Sequence, residues 1–368
     1  MLRVFAQLGE PVVREVGEPE VRPGEVLVDT AYSTVSTGTE TLILRRSREN
    51  PGVDEEYPGS NPRWPKIRDG LVGERFPRNP EVELGTSLGY SASGVVRAVG
   101  EGVTDVAAGM TVACSGSQCA HHAEVIAVPR NLVSVLPDGV SLRQGAFVTL
   151  GAIAVEALRK ADVKFGETVV IYGLGLLGLL AAQIARAGGL YVIGMDIDPN
   201  RLELARTLGF PHVFDPRDAA TDGRVRDLTG GFGADAVLLG IVTDSNDPLN
   251  HALDLCRQRG TVVGVGVFGM TIDRSRMGGN DVTIKQSIAY GPGRYDPRYE
   301  EGGVDYPIGL VRWTEHRNMA HFLRLLAEGA VDVSLLAPEP ILIADAPQGY
   351  ALLAGPDRPP TVQFRHNA

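Results

Sequence analysis

Cysteine, positive charge and long apolar runs are all scarce in this 368-residue sequence. The three cysteines are an odd number, which favours a reducing compartment over a disulfide scaffold, so we expect a cytoplasmic protein. No apolar run is as long as the roughly 18 residues that cross a bilayer, so we expect no membrane partner. The opening residues, MLRVFAQLGEPVV, indicate a strand and not a signal peptide.

Lysine and arginine are outnumbered by aspartate and glutamate, 35 against 45, which gives a formal net charge of −10. This balance argues against a general nucleic-acid binder, because such proteins neutralise phosphates with a basic surface. The hydrophobic content of 43% and the charged content of 22% are ordinary for a globular protein. The length allows two domains with separate cores.

The pattern of apolar residues divides the chain into three parts. Residues 1–152 form short strands broken by Gly and Pro, which predicts an antiparallel, partly closed barrel-like domain. Residues 153–290 alternate strands with helices, which predicts a doubly wound parallel sheet of the α/β class. Residues 291–368, with a helix over 316–328, are expected to return to the first domain. A cleft between the two domains is the expected ligand site.

Residues 45–87 interrupt the first part with a charged stretch rich in Pro and Gly. Such composition is typical of a solvated loop, and the alternative is an insertion that covers a pocket.

A strand–turn–helix pattern over residues 168–199 carries the most specific signal in the chain. Gly173, Gly175 and Gly178 have the GxGxxG spacing of dinucleotide-binding turns, between a strand and a helix. The first glycine would allow the tight turn, the second the approach of a pyrophosphate, and the third the packing of helix on strand. The pattern therefore predicts a dinucleotide site.

The residues after the glycines indicate which dinucleotide binds. Leu176 and Leu177 would open a helix whose free N–H groups and positive dipole end face the phosphates. Asp196 lies 18 residues past the last glycine, at the end of a second apolar run. Its carboxylate would accept hydrogen bonds from ribose and repel a 2′-phosphate, which favours NAD over NADP. Arg201 would flank the adenosine. The alternative for Asp196 is a helix cap, a role that Asp198 fits better.

The chain resembles the medium-chain dehydrogenase/reductase superfamily over nearly its whole length. The motifs are GVVRAVGEGVTDVAAGMTVA, GETVVIYGLGLLG and MDIDPNRLELARTLG, in the family's order and spacing. The stretch SIAYGPGRYDPRYEEGGVDYPIGLVRWTEHRNM is similar to the alcohol-dehydrogenase-like half of bacterial bi-domain oxidoreductases. The resemblance implies a Rossmann sheet, a β-rich GroES-like catalytic domain, and a homodimer or homotetramer.

Alcohol dehydrogenases of the superfamily bind a catalytic zinc through residues that this chain lacks. Thr37 takes the place of the family's Cys, Tyr90 and Ser91 replace the His–Glu pair, and Thr149 stands at the third ligand position. Zinc prefers thiolate, imidazole or carboxylate ligands, so we expect no metal.

One other zinc reading is open, at Cys114, Cys119, His121 and His122, which lie within nine residues. Their spacing fits no standard zinc pattern, and the two neighbouring histidines would face opposite sides of a strand. Packing of Cys114 as a small apolar side chain is the preferred interpretation.

Without zinc, a side chain must handle the proton that accompanies hydride transfer. The resemblance places His122 at the substrate pocket, where an imidazole suits a base at neutral pH. Tyr90 stands at a lost metal position, and Thr39 matches a hydroxyl that relays protons in zinc relatives. The alternatives are a half-buried structural histidine, a tyrosine that fills the vacated metal cavity, and a threonine that belongs only to a turn.

Thr37, Glu40 and Arg294 are further candidates for substrate contact. Glu40 matches an Asp of the family's first metal turn, and its alternative is a structural role. Arg294 belongs to a basic cluster with tyrosines, which suits phosphate, carboxylate or sugar groups. Because Asp296 and Glu300 lie alongside, the alternative for Arg294 is a salt-bridged surface or subunit loop.

The sequence thus predicts a zinc-independent, NAD-dependent oxidoreductase that interconverts a secondary alcohol and a ketone. A sugar, a cyclitol or a sugar-derived metabolite is the expected substrate, by analogy with the family. One alternative is an NADPH-dependent enoyl or quinone reductase, against which Asp196 argues. Another is a non-catalytic NAD-binding partner of a different oxidoreductase.

Overall fold

The computed structural model describes residues 1–49, 85–277 and 280–366 of the chain. The strands, in chain order, are β1 (Leu2–Gln7), β2 (Glu10–Glu15), β3 (Glu25–Thr34), β4 (Thr86–Ser87), β5 (Ser91–Val99), β6 (Thr111–Ser115), β7 (Val125–Pro129), β8 (Val133–Val135), β9 (Thr168–Tyr172), β10 (Tyr191–Met195), β11 (Val213–Phe214), β12 (Ala234–Leu239), β13 (Cys256–Gly264), β14 (Thr283–Gln286), β15 (Ile341–Leu342) and β16 (Gln363–Arg365).

Helices follow most strands in the second half of the chain and are sparse in the first. In chain order they are α1 (Thr37–Glu49), α2 (Leu142–Gly145), α3 (Val148–Ala161), α4 (Leu176–Ala187), α5 (Pro199–Thr207), α6 (Thr221–Leu228), α7 (Asp247–Leu255), α8 (Arg274–Met277), α9 (Pro297–Glu300), α10 (Glu315–Ala327) and α11 (Ala346–Ala354).

Unit 1 is rich in β structure and comprises Met1–Thr149, Gly293–His316 and Ala337–Ala368. Its larger sheet has the order β15-β16-β3-β5-β6-β8, and β7 pairs with Glu25–Asp29 of β3. The pairings of β3 with β5, β7 and β16 are antiparallel. A smaller sheet has the order β2-β1-β4. This antiparallel architecture is what the Gly- and Pro-broken strands predicted.

Unit 2 is a doubly wound parallel sheet and comprises Leu150–Pro292 and Arg317–Leu336. The strand order is β11-β10-β9-β12-β13-β14, and every pairing along it is parallel. The central strand β9 is buried from Val169 to Tyr172, because helices cover both faces of such a sheet and its strands are apolar on both sides. The predicted α/β class with an added β-rich domain is confirmed.

The return of the chain to unit 1 differs from the prediction for residues 291–368. The crossings lie after Thr149 and after Pro292, close to the predicted 152 and 290, but Arg317–Leu336 packs with unit 2. Helix α10 is responsible, because its Phe322 is fully buried against α3. The sequence predicted this helix, over residues 316–328, but carried no information about the unit with which it packs.

Two elements end earlier than the local sequence pattern indicates. The helix-like pattern runs over residues 248–258, but α7 ends at Leu255 because Cys256 already pairs with Ala234 as the first residue of β13. The strand-like pattern runs over residues 282–291, but β14 ends at Gln286. Tertiary strand pairing sets both ends, which local propensity does not report.

The first part of the predicted loop at residues 45–87 is helical, because α1 continues to Glu49. Residues 50–84, which make up nearly all of that predicted loop or insertion, lie outside the described residues. In the part of the chain that is described, no helix is both long and apolar enough to span a membrane.

The packing of α10 on α3 gives a test of the unit 2 assignment. A Cβ added at Gly151 would lie 2.2 Å from the Phe322 ring, so we expect Gly151→Ala to destabilise the protein by about 1–3 kcal/mol. The matched control is Gly223→Ala in α6, where a Cβ meets nothing within 4 Å and helix propensity should add about 0.5–1 kcal/mol. Urea unfolding measures both, and equal stability of the two variants would contradict this packing.

Candidate functional site

The glycine turn of unit 2 has the close contacts that the GxGxxG spacing predicts. Gly173 has a φ of 104°, a left-handed conformation that side chains disfavour. A Cβ at Gly178 would lie 1.8 Å from the carbonyl oxygen of Gly173, so only glycine lets α4 pack this closely on the turn. A Cβ at Gly175 would meet only the guanidinium of Arg201, at 3.9 Å.

Helix α4 begins directly after this turn and has no side-chain cap. Gly175 precedes the helix, and its carbonyl accepts the first helical hydrogen bond, from the N–H of Leu179 at 2.9 Å. The first N–H groups of any helix, here those of Leu176 and Leu177, have no acceptor within the helix. Their N–H groups and the helix dipole fit an anionic phosphate, so the residues present fit a bound dinucleotide.

Asp196 follows β10 and is held by the backbone of the same edge of the sheet. One carboxylate oxygen accepts the N–H of Leu174 at 2.7 Å, and the other accepts the N–H of Asp198 at 2.9 Å. Arg201 lies 3.4 Å from the first oxygen. Asp198, and not Asp196, caps α5 through the N–H of Asn200. A carboxylate has about four acceptor sites, so Asp196 keeps capacity for ribose hydroxyls.

The surroundings of Tyr172, the last residue of β9, are strongly acidic. Burial raises the pKa of Tyr172 to about 12, and the charges of Asp222, Asp215, Asp196 and Asp247 act in the same direction. The arginines at these carboxylates are engaged in ion pairs, Arg201 with Asp196 and Arg217 with Asp215. The end of β9 and β10 is therefore a negatively charged edge of the sheet.

In unit 1, three hydroxyl groups meet where α1 begins; we refer to Ser36, Thr39 and Tyr90 as the hydroxyl cluster. Tyr90 donates a hydrogen bond to Ser36, and Thr39 also bonds to its phenol oxygen. The Tyr90 side chain is half-buried, and burial raises its pKa to about 12. The phenol therefore stays protonated at neutral pH and acts as a hydrogen-bond donor rather than as a base.

His122 lies elsewhere than the substrate-facing position that the resemblance implied. Its side chain is fully buried, with Nδ1 2.6 Å from the Ser33 hydroxyl and Nε2 3.0 Å from Glu40. Its ring also packs edge-on against Phe364. With both nitrogens engaged and no exposed edge, His122 corresponds to the alternative of a structural histidine, although it is fully rather than half-buried.

Glu40 is a fully buried carboxylate that organises the start of α1. One oxygen accepts the N–H of Ser36 at 2.7 Å, and the other faces His122 and accepts the Tyr350 hydroxyl. The structural alternative for Glu40 therefore describes its contacts better than the predicted contact with substrate. Ser36 was not singled out from the sequence, because the helix that begins directly after it was not predicted.

The positions where zinc-dependent relatives carry metal ligands hold hydroxyls that are bonded to the protein. Thr37 donates to the carbonyl of Pro360 at 2.8 Å, and its contact with substrate stays a prediction. Ser91 donates to the carbonyl of Ala146 at 2.7 Å. Thr149 lies 2.8 Å from the Tyr90 carbonyl and 2.7 Å from the Ser115 hydroxyl. Neutral hydroxyls in such bonds do not fit a zinc ion.

The cysteine and histidine cluster offers no better donor set. Burial raises the pKa of Cys114 to about 12 and that of Cys119 well above its ordinary value, so both are thiols at neutral pH. Across residues 1–49, 85–277 and 280–366, no three His, Cys, Asp or Glu side chains are grouped so that they could hold a metal ion.

Arg294 is occupied by a buried ion pair. Its guanidinium bonds to Glu300, to the Ser117 hydroxyl at 3.1 Å and to Gln118 at 3.3 Å. The Arg294 and Glu300 side chains are only 5% and 7% exposed. The salt-bridge alternative therefore describes Arg294, but in the interior of unit 1 and not on a surface loop.

Glu315, the first residue of α10, is a buried acid that the sequence did not single out. It is fully buried, and neither of its carboxylate oxygens has a hydrogen-bond partner among the described residues. Burial, followed by the charge of Glu300, raises its pKa well above the ordinary value, and Arg294 acts in the opposite direction. The folded protein therefore keeps a proton on Glu315 that the unfolded chain loses.

Comparisons with known proteins agree with this architecture. The family model described as "Zinc-binding dehydrogenase" matches residues 177–301. The chain is 26% identical over 341 residues to a D-guloside 3-dehydrogenase of Shigella flexneri, covering 91% of each chain. It is 30% identical over 313 residues to the "Probable D-xylulose reductase A" of Aspergillus clavatus, covering 75% of this chain and 78% of the relative.

A solved structure shows the same fold at lower identity. The 2R,3R-butanediol dehydrogenase of Bacillus subtilis superposes with a TM-score of 0.75 at 22% identity, covering 100% of this chain and 99% of that one. A nucleotide turn on a doubly wound sheet, joined to an antiparallel β unit, is the architecture of a two-domain oxidoreductase. The chain is an enzyme of this class, and it belongs to the medium-chain dehydrogenase/reductase superfamily.

Two glycine variants separate the fold of the turn from its binding role. We expect Gly178→Ala to unfold more readily and to lose NAD affinity, because its Cβ would collide with the turn. Gly175→Ala should keep the stability of the wild type but bind NAD more weakly, because its Cβ points where the phosphates approach. Calorimetric titration with NAD and thermal unfolding measure both. Wild-type NAD binding by Gly178→Ala would contradict the site.

Glu315 predicts a pH dependence of stability. Because its pKa in the folded state is raised, its contribution to stability is lost as the pH rises above the unfolded value of about 4.3. We expect Glu315→Gln to gain stability relative to the wild type increasingly as the pH rises above that unfolded value. Unfolding in urea at several pH values measures this gain. The control is Glu339→Gln, whose side chain is 91% exposed; an equal gain in the control would contradict the interpretation.

Proposed function

We propose that the protein is a zinc-independent, NAD-dependent oxidoreductase that interconverts a secondary alcohol and a ketone on a sugar, cyclitol or sugar-derived metabolite. The observation that carries the proposal is the hydroxyl cluster of unit 1. The resemblance aligns its Tyr90 with a metal-ligand position of zinc-dependent relatives and its Thr39 with a hydroxyl that relays protons there. The names of two relatives, a D-guloside 3-dehydrogenase and a D-xylulose reductase, support a polyol substrate.

The nucleotide turn of unit 2 supports NAD as the cofactor. The N–H groups at the start of α4 bind the pyrophosphate, and Asp196 accepts hydrogen bonds from the ribose hydroxyls. The carboxylates around Tyr172 repel a 2′-phosphate, which argues against the NADPH-dependent alternative. When bound, the nicotinamide supplies the hydride acceptor or donor for the reacting carbon.

The hydroxyl cluster handles the oxygen of the substrate. Tyr90 keeps its proton at neutral pH. When substrate binds, its single O–H turns from Ser36 to the ketone oxygen and stabilises the negative charge that develops there during reduction. Thr39 assists by its bond to the same phenol. His122 acts at a distance, through Glu40 and the N–H of Ser36, and is therefore a positioning residue in this proposal.

We also propose that two copies of the chain pair along the edge of unit 2, in a homodimer or a homotetramer. In the described part of the sheet, β14 is the last strand, and its outer edge has no strand partner. Large apolar side chains nearby are exposed, namely Val267 (59%), Met270 (61%) and Ile288 (57%). Unpaired strand edges and apolar patches are typical of such interfaces.

The three cysteines are free, which supports a cytoplasmic location.

The test is a spectrophotometric screen for NAD reduction across sugars, glycosides and cyclitols, with metal analysis of the same preparation. We expect turnover of at least one polyol, a preference for NAD over NADP, and activity that survives chelators. Tyr90→Phe should lower kcat/KM by about a hundredfold or more. Tyr191→Phe, at an exposed position in unit 2, is the control and should have wild-type activity.

Three results would count against the proposal. Stoichiometric zinc that is required for turnover would remove its metal-independent part. A preference for NADPH would favour the enoyl or quinone reductase. Binding of NAD without turnover of any polyol would favour a non-catalytic partner protein.

A further inference from the structure

Tyr295 has a backbone conformation that its side chain disfavours. Residues Gly293 to Asp296 form a turn closed by a 3.0 Å hydrogen bond from the N–H of Asp296 to the carbonyl of Gly293. Tyr295 is the third residue of this turn and has a φ of 67°. Glycine or asparagine is preferred at a left-handed turn position, and a bulky residue there is a true outlier. The neighbouring contacts must therefore hold this conformation.

Two sets of contacts fix the turn on either side of Tyr295. On one side, the guanidinium of Arg294 lies 4.4 Å from the centre of the Tyr295 ring. Glu300 and Ser117 hold that guanidinium in the interior. On the other side, Asp296 caps α9 by accepting the N–H of Arg298 at 3.0 Å. A buried ion pair and a helix cap therefore hold Tyr295 in its strained backbone conformation.

The ring lies close to the hydroxyl cluster. Ser117, which holds Arg294, directly follows Gly116, whose N–H donates to the carbonyl of Tyr90 at 3.1 Å. The Tyr295 phenol is also near enough to be among the groups that raise the pKa of Tyr90. Although Arg294 is almost fully buried, the Tyr295 side chain is 42% exposed.

We propose that Tyr295 is a substrate-binding residue: its ring, backed by the Arg294 guanidinium, is the platform on which the sugar or cyclitol ring packs beside Tyr90. The inference rests on the proposed function and deepens it. A flat ring with a polar edge suits a polyol, which presents a C–H face and a rim of hydroxyls. Strained backbone conformations are concentrated at binding and catalytic sites.

The test is Tyr295→Gly, which removes the ring and at the same time relieves the left-handed strain. We expect Tm to rise or stay level, because glycine adopts this φ freely. The KM for the polyol should rise by about tenfold, since the platform is lost. The change in kcat should be smaller, and the NAD affinity unchanged. Tyr295→Phe keeps the ring and should restore the KM to within about threefold of the wild type.

Leu8→Gly is the matched control, because Leu8 also has a positive φ, 52°, and is 61% exposed in the turn between β1 and β2. It should raise Tm without changing the KM. If the Tyr295→Gly enzyme is active and its KM for the polyol is unchanged, the inference is wrong but the proposed function stands. A fall in the Tm of Tyr295→Gly that Tyr295→Phe does not show would also overturn the inference. A wild-type enzyme that neither turns over nor binds any polyol in calorimetry would overturn the proposed function together with the inference.

Discussion

The buried carboxylate of Glu40 is the constraint on which the start of α1 in unit 1 depends. It accepts the Ser36 N–H and the Tyr350 hydroxyl and faces the ring of His122, with no exposure to solvent. A buried charge is tolerated only when such bonds surround it. The same bonds fix the first turn of α1, from which the hydroxyl groups next to Tyr90 project. The positions of the hydroxyl groups next to Tyr90 therefore depend on the buried Glu40 carboxylate.

In unit 2, the turn before α4 is positioned by a different physical means, which is the absence of side-chain atoms at two glycines. Gly178 brings α4 against the turn at a distance that no Cβ allows, and Gly173 supplies the left-handed backbone. The resulting helix start is rigid and leaves N–H groups for an anion. Polar bonds add the orientation of Asp196, whose two oxygens are held by backbone donors. Close packing therefore sets the geometry of the helix start, and hydrogen bonding sets the orientation of Asp196.

The nucleotide turn could be predicted from sequence because its determinants are local. The glycine spacing itself encodes the close approach, and Asp196 follows at the expected interval. The surroundings of His122 could not be predicted, because Ser33 lies 89 residues away in the chain and is itself bonded to His366, 333 residues further on. A family alignment gives a position along the chain and says nothing of burial. For the same reason, the sequence predicted helix α10 but not the unit with which it packs.

The hydrogen bonds that connect Glu40, His122, Ser33 and His366 have a fixed order of donors and acceptors. If the carboxylate accepts the Nε2–H of His122, then Nδ1 of that ring is a lone pair and the Ser33 hydroxyl must donate to it. Ser33 in turn accepts the Nε2–H of His366, whose Nδ1 has no partner in the described chain. The opposite order would leave a buried N–H without an acceptor, which is the costlier defect. Each imidazole is thereby limited to one tautomer, and the serine rotor to one orientation.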